Sequence, residues 1–98
     1  MTGRSVADRQ VPLWRRHWQD EGDAAYLYER LAAMEPDAER ARLYRELAGV
    51  EARHVGRWAD VLRDAGEAVG PYRPSLRARL LLLLARLAGR EALLALLL

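Results

Sequence analysis

Glu51-Ala52-Arg53-His54 sets a carboxylate and an imidazole three residues apart. On a helix that spacing projects both from one face, where a single metal ion could take both. A second acid sharpens the pattern. Glu21 lies 15 positions before Pro36 and Glu51 lies 15 after it, so a helical hairpin folded at Pro36 would hold both carboxylates at the same height. Mixed carboxylate and imidazole donors suit iron, and also accept manganese or zinc. Other chemistries are thinly represented. The chain has no cysteine, which removes disulfides, thiolate metal sites and cysteine nucleophiles. Ser5 and Ser75 are its only serines, with no serine-nucleophile constellation and no glycine-rich phosphate loop around them.

The elements that must position these residues can be read from apolar spacing. Residues 1–12 are mixed and polar, and are expected to be a flexible lead-in. From Leu13 to Met34, apolar residues recur at Trp14, Trp18, Ala25, Tyr28 and Ala32, the stripe of a first helix. Pro36 disfavours helical geometry at Glu35, and Asp37 is a suitable N-cap for the helix that follows. A second helix is expected from Ala38 to Ala65, its stripe at Leu43, Leu47, Val50, His54, Trp58, Val61 and Leu62. Gly49 and Gly56 interrupt it and suggest close helix approach, and Gly66 is a natural stop. The hairpin therefore occupies 13–66, followed by a linker, 67–74, and a third helix over 75–98 capped by Ser75.

Charge separates the hairpin from the tail. Residues 1–70 carry 11 Arg against 13 acids, whereas 71–98 carry 5 Arg against Glu91 alone. That distribution argues against a nucleic-acid surface on the hairpin and favours an anionic partner, such as a membrane surface, for the tail. Arg79, Arg86 and Arg90 interrupt the leucines of 75–98, so an amphipathic or juxtamembrane helix fits better than a spanning one. The apolar run reaches Leu98, which suggests a chain cut where a membrane domain would begin. No apolar signal segment opens the sequence, so a cytoplasmic location is expected, including the cytoplasmic face of a membrane. A lone hairpin of this size buries too little apolar surface to stand alone, so self-association is expected.

The Glu21, Glu51 and His54 pattern resembles the Glu plus Glu-x-x-His arrangement of ferritin-like di-iron bundles. Over residues 13–65 the chain is similar to half-ferritins of the encapsulated-ferritin type. Trp18-Gln19-Asp20-Glu21, the Glu51/His54 pair and the proline-rich linker also resemble the N-terminal ferritin-like domain of bacterial vacuolar-iron-transporter relatives. The resemblance implies an all-α protein whose hairpin dimerises into a ferritin-like four-helix bundle, with a di-iron ferroxidase centre between two chains serving iron storage or export. It implies that Asp20 and Asp23 guide iron inward and that Tyr28 stands near the centre. The cargo-loading tail usual in encapsulated ferritins is not recognisable here, which favours the transporter-linked version.

A competing expectation is a metal-free helical module that dimerises or docks on a membrane, its acids serving solubility. His17, one turn before Glu21, reads as a surface or interface residue in preference to a ligand. Trp14, Trp18, Tyr44 and Trp58 read as core or interface aromatics. Arg40, Arg45, Arg53, Arg57 and Arg63 are expected to pair with Glu39, Glu46, Asp60 and Asp64 along the second helix.

Overall fold

In a computed structural model, which describes residues 6–89 together with Glu91 and Ala95, the chain is all-helical among the described residues. Helix α1 spans Val6–Met34, α2 spans Ala38–Asp64 and α3 spans Leu76–Ala88. The first two form an antiparallel hairpin about the turn at Glu35-Pro36-Asp37, as the sequence predicts. Asp37 is the N-cap of α2, its side chain accepting from the Arg40 N–H at 2.9 Å, and Glu35 accepts from the Asp37 N–H at 3.1 Å. Gly66 closes α2 in the left-handed region at φ +82°, with its N–H on the Arg63 carbonyl at 2.9 Å and the Glu67 N–H on the Leu62 carbonyl at 3.0 Å. This is the hydrogen-bond pattern that a glycine stop permits.

Two boundaries differ from expectation. Helix α1 begins at Val6 instead of Leu13 and carries Pro12 inside it, so residues 6–12 are helical and not a lead-in. Pro12, the seventh residue of the helix, is exposed and supplies no N–H to the helical ladder. Residues 1–5 lie outside the described residues. At the other end α3 stops at Gly89, which takes φ +102°, a value L side chains rarely adopt. The continuation expected through Leu98, with Arg90, lies outside the continuously described chain.

The core sits at the turn end of the hairpin. Leu27 and Leu31 of α1, with Tyr28 and Ala32, meet Tyr44 and Ala48 of α2 and Ala78, Leu82 and Ala85 of α3. Helix α2 is rotated relative to the expected stripe. It buries Ala41, Tyr44, Ala48, Ala59 and Leu62, leaving Leu43 at 51% and Val50 at 38% exposure. Of the expected stripe Leu62 is fully buried, Leu47, His54, Trp58 and Val61 are half-buried, and three alanines with Tyr44 supply the rest of the inward face. Among the expected aromatics, Tyr44 is a core residue, whereas Trp14, Trp18 and Trp58 are half-buried.

Helix α3 and the linker are held to α1 by a stripe that the sequence did not suggest. Arg15, Gln19 and Asp23 recur every four residues along one face of α1. Arg15 donates to Glu67 Oε1 and to the Ala68 carbonyl, each at 2.9 Å. Gln19 donates to the Arg73 carbonyl at 2.9 Å and to Asp23 Oδ1 at 3.0 Å. Asp23, only 5% exposed, also accepts from the Tyr72 hydroxyl at 2.6 Å, the Ser75 N–H at 3.1 Å and the Ser75 hydroxyl at 2.5 Å. Ser75 Oγ in turn accepts from the Ala78 N–H at 3.1 Å and caps α3 as expected. The Tyr72 ring packs against Gly22, where an added Cβ would stand 2.5 Å from two ring carbons, and meets Trp18 edge-on at 6.1 Å. Gly22 is thus the glycine of close approach. Gly49 would meet only the tip of Arg53 at 3.7 Å, and Gly56 nothing within 4 Å.

Two predictions follow from this packing. Gly56→Ala should stabilise the fold by about 0.5–1 kcal/mol through helix propensity alone. Gly22→Ala gains the same propensity but displaces a ring tethered by its hydroxyl, an overpacking cost of about 1–3 kcal/mol that leaves a net loss. Urea unfolding of both variants tests the opposite signs. The second prediction concerns alkali. Burial first, then the hydrogen bond to Asp23 and the Asp23 charge, raise the Tyr72 pKa far above its usual value near 10. The folded state therefore keeps a proton that the unfolded chain loses, so this contribution is intact below pH ~10 and declines as pH rises beyond it. Thermal unfolding of Tyr72→Phe should start lower than that of the parent but fall less steeply across that range.

Candidate metal centre

Glu21 leaves α1, and Glu51 and His54 leave α2, where the antiparallel hairpin brings the two helices level. One donor atom from each of the three lies within 4.8 Å of the others, the juxtaposition that symmetry about Pro36 predicts. Among the described residues this is the only group of three or more acidic or histidine side chains so arranged. The site stands just outside the core and all three side chains are half-buried. Shape and access follow from the rotation of α2: Glu21 and His54 line an open depression with Arg57, Trp58 and Val61.

The hydrogen bonding of the three is incomplete. His54 Nδ1 is 3.0 Å from Glu51 Oε1. An ionised carboxylate can only accept, so the Nδ1–H donates in this bond and Nε2 keeps its lone pair when the ring is neutral. Glu21 Oε1 lies 3.5 Å from the same nitrogen, an electrostatic contact beyond good hydrogen-bond length. Glu21 Oε2 is buried with no hydrogen-bond partner. A buried carboxylate oxygen without a donor carries a desolvation cost that a cation would relieve, so the donor set fits a metal ion by its chemistry and by this unmet oxygen.

Tyr28 is 7% exposed on the α1 turns that follow Glu21. Burial, then the Glu51 charge, then Tyr44 raise its pKa above the usual tyrosine value, so it remains a neutral phenol in the field of Glu51. His17 stacks on Trp58, ring centroids 4.8 Å apart and planes 22° from parallel, an aromatic role in keeping with its expected place outside the ligand set. The two flanking acids stand elsewhere. Asp20 is exposed, while the Asp23 carboxylate is occupied by Tyr72, Ser75 and Gln19. Neither belongs to the group of three. The signal that could have separated Asp23 from a guiding role was its four-residue register with Arg15 and Gln19. Of the expected arginine pairs on α2, Arg63 and Asp60 meet at 3.5 Å, and no other such pair forms among the described residues. Both partners are exposed, so that contact is worth at most about 1 kcal/mol.

No family model, curated protein or solved structure matches this chain.

Replacing Glu21 by an apolar side chain of similar length removes the unpartnered oxygen. Glu21→Met should raise the stability of metal-free protein by about 1 kcal/mol, the sign expected where a site is held at a cost to the fold. Urea unfolding in the presence of a chelator measures it, and an unchanged or lower stability would show that this oxygen carries no penalty.

Proposed function

We propose that Glu21, Glu51 and His54 are one half of a di-iron ferroxidase centre, completed by the same residues of a second chain, that oxidises Fe(II) for iron storage or export. The observation that carries this reading is the buried, unpartnered Glu21 Oε2 beside Glu51 and His54. Two chains would contribute four carboxylates and two imidazoles, the donor count of ferritin-like di-iron bundles. The surface next to the site supports the second chain: exposed Leu43 and Val50 continue in line with half-buried Leu47, His54, Trp58 and Val61 along α2, a stripe of the kind that pairs helices into bundles. In this reading Fe(II) is the substrate. Two ions each give one electron to dioxygen, which with two solvent protons becomes hydrogen peroxide.

The chain's own groups have distinct tasks. Glu21 offers its unpartnered oxygen as a ligand without first breaking a hydrogen bond. Glu51, 3.0 Å from His54 Nδ1, orients the imidazole ring beside it. Tyr28 keeps its proton and remains a donor beside the acids. The depression that Glu21 and His54 line with Arg57, Trp58 and Val61 faces the side on which the second chain would pack.

Anaerobic loading with Fe(II) followed by air should give about one iron per chain, two per dimer, with absorbance rising faster than in buffer. Glu51→Ala and His54→Ala should each reduce oxidation to the buffer rate while leaving helix content unchanged. Absence of bound iron, with oxidation no faster than buffer, would overturn the proposal in favour of a metal-free helical module.

A further inference from the structure

Helix α3 has two apolar faces, and the hairpin uses only one. Its inward side is small: Ala78 and Ala85 with Leu82 pack into the core at 0–6% exposure. At about 100° per residue, Leu76, Leu80, Leu83, Leu84 and Leu87 cluster on the opposite side. They are exposed by 41–79%. The same projection sets Arg77 along one flank of this leucine stripe and Arg79 with Arg86 along the other. No acidic residue occurs from Ala68 to Gly89. Leucines flanked on both sides by arginines form the pattern of a helix lying in the plane of a membrane interface: the leucines enter the acyl boundary while the guanidinium groups reach outward to phosphates.

We infer that the outward face of α3 docks on an anionic phospholipid surface. Charge decides between this occupant and a second copy of the chain. Two α3 helices stacked by their leucines would bring arginine rows together with no carboxylate between them, whereas an anionic bilayer supplies the countercharge. Length fixes the orientation. Thirteen residues extend about 20 Å, short of the ~30 Å of a bilayer core, and no helix among the described residues is long and apolar enough to cross a membrane. The Ser75 cap and its bonds to Asp23 fix the opposite face of α3 to the hairpin, so the leucines are presented outward on a rigid support.

Co-sedimentation of the full chain with vesicles tests the inference. Vesicles of equal parts phosphatidylglycerol and phosphatidylcholine should bind the protein, and pure phosphatidylcholine should bind it far less. The triple change Arg77→Gln, Arg79→Gln and Arg86→Gln should weaken binding by more than about tenfold. Leu80→Ser with Leu84→Ser, both at exposed positions, should abolish it with helix content unchanged by circular dichroism. No sedimentation with the mixed vesicles overturns the inference, as does retention of full binding by the leucine variant. A dimer in sedimentation velocity that the leucine variant dissolves, without vesicle binding by the parent, assigns the face to a second copy and also overturns it. The inference does not rest on the iron reading: Glu51→Ala should bind vesicles as the parent does.

Discussion

The buried carboxylate of Asp23 is the point on which the arrangement of this chain converges. An ionised acid at 5% exposure is tolerated only when its lone pairs are filled, and here donors from Gln19, Tyr72 and Ser75 fill them. Each of those donors is also a structural commitment. Tyr72 brings the linker down onto Gly22, and Ser75 starts α3 at a defined place and angle. The alanines and leucine of α3 then complete a core that two helices would leave open. A hairpin alone has little interior. The charged bond therefore sets where the hydrophobic contribution of α3 can act.

A division of labour along the hairpin follows. The half near the turn holds the core that α3 joins, whereas Glu21, Glu51 and His54 are half-buried and leave one buried oxygen without a partner. Between the helices, three alanines with Tyr44 and Leu62 make the inward face of α2. The rotation that sets this face inward leaves Leu43 and Val50 in solvent. The proposed second chain would cover what the first exposes. On the far side α3 repeats the theme, with a small-residue face used and a leucine face unused.

Much of the candidate site was legible because it depends on local rules. The i, i+3 spacing of Glu51 and His54 and the equal counts on either side of Pro36 needed only helix geometry and a tight turn, and Asp37, Gly66 and Ser75 act as caps and stops as their types suggest. What the sequence hid depends on partners far along the chain. Asp23 was expected beside the metal because the residues that occupy its carboxylate, Tyr72 and Ser75, stand 49 and 52 residues away. Gly22 was overlooked and Gly49 and Gly56 were favoured for the same reason, since close approach belongs to the neighbour and not to the glycine. Helix α2 turns three alanines inward, and hydrophobicity alone ranks Leu43 and Val50 above them. The start of α1 at Val6 was missed because residues 6–12 are mixed and polar, without a sustained apolar stripe.

The short turn at Glu35-Pro36-Asp37 has an implication for how such a sequence can drift. Because two rigid helices run from it to the acids, the alignment of Glu21 with Glu51 is a matter of counting. One residue inserted within either helical arm would turn the side chains beyond it by about 100° and advance them about 1.5 Å, carrying a ligand off the shared face. Substitutions between the two acids have wide latitude, while changes in length have almost none outside the turn itself. Descendants of this chain would be expected to vary in spelling across that stretch far more readily than in the number of letters.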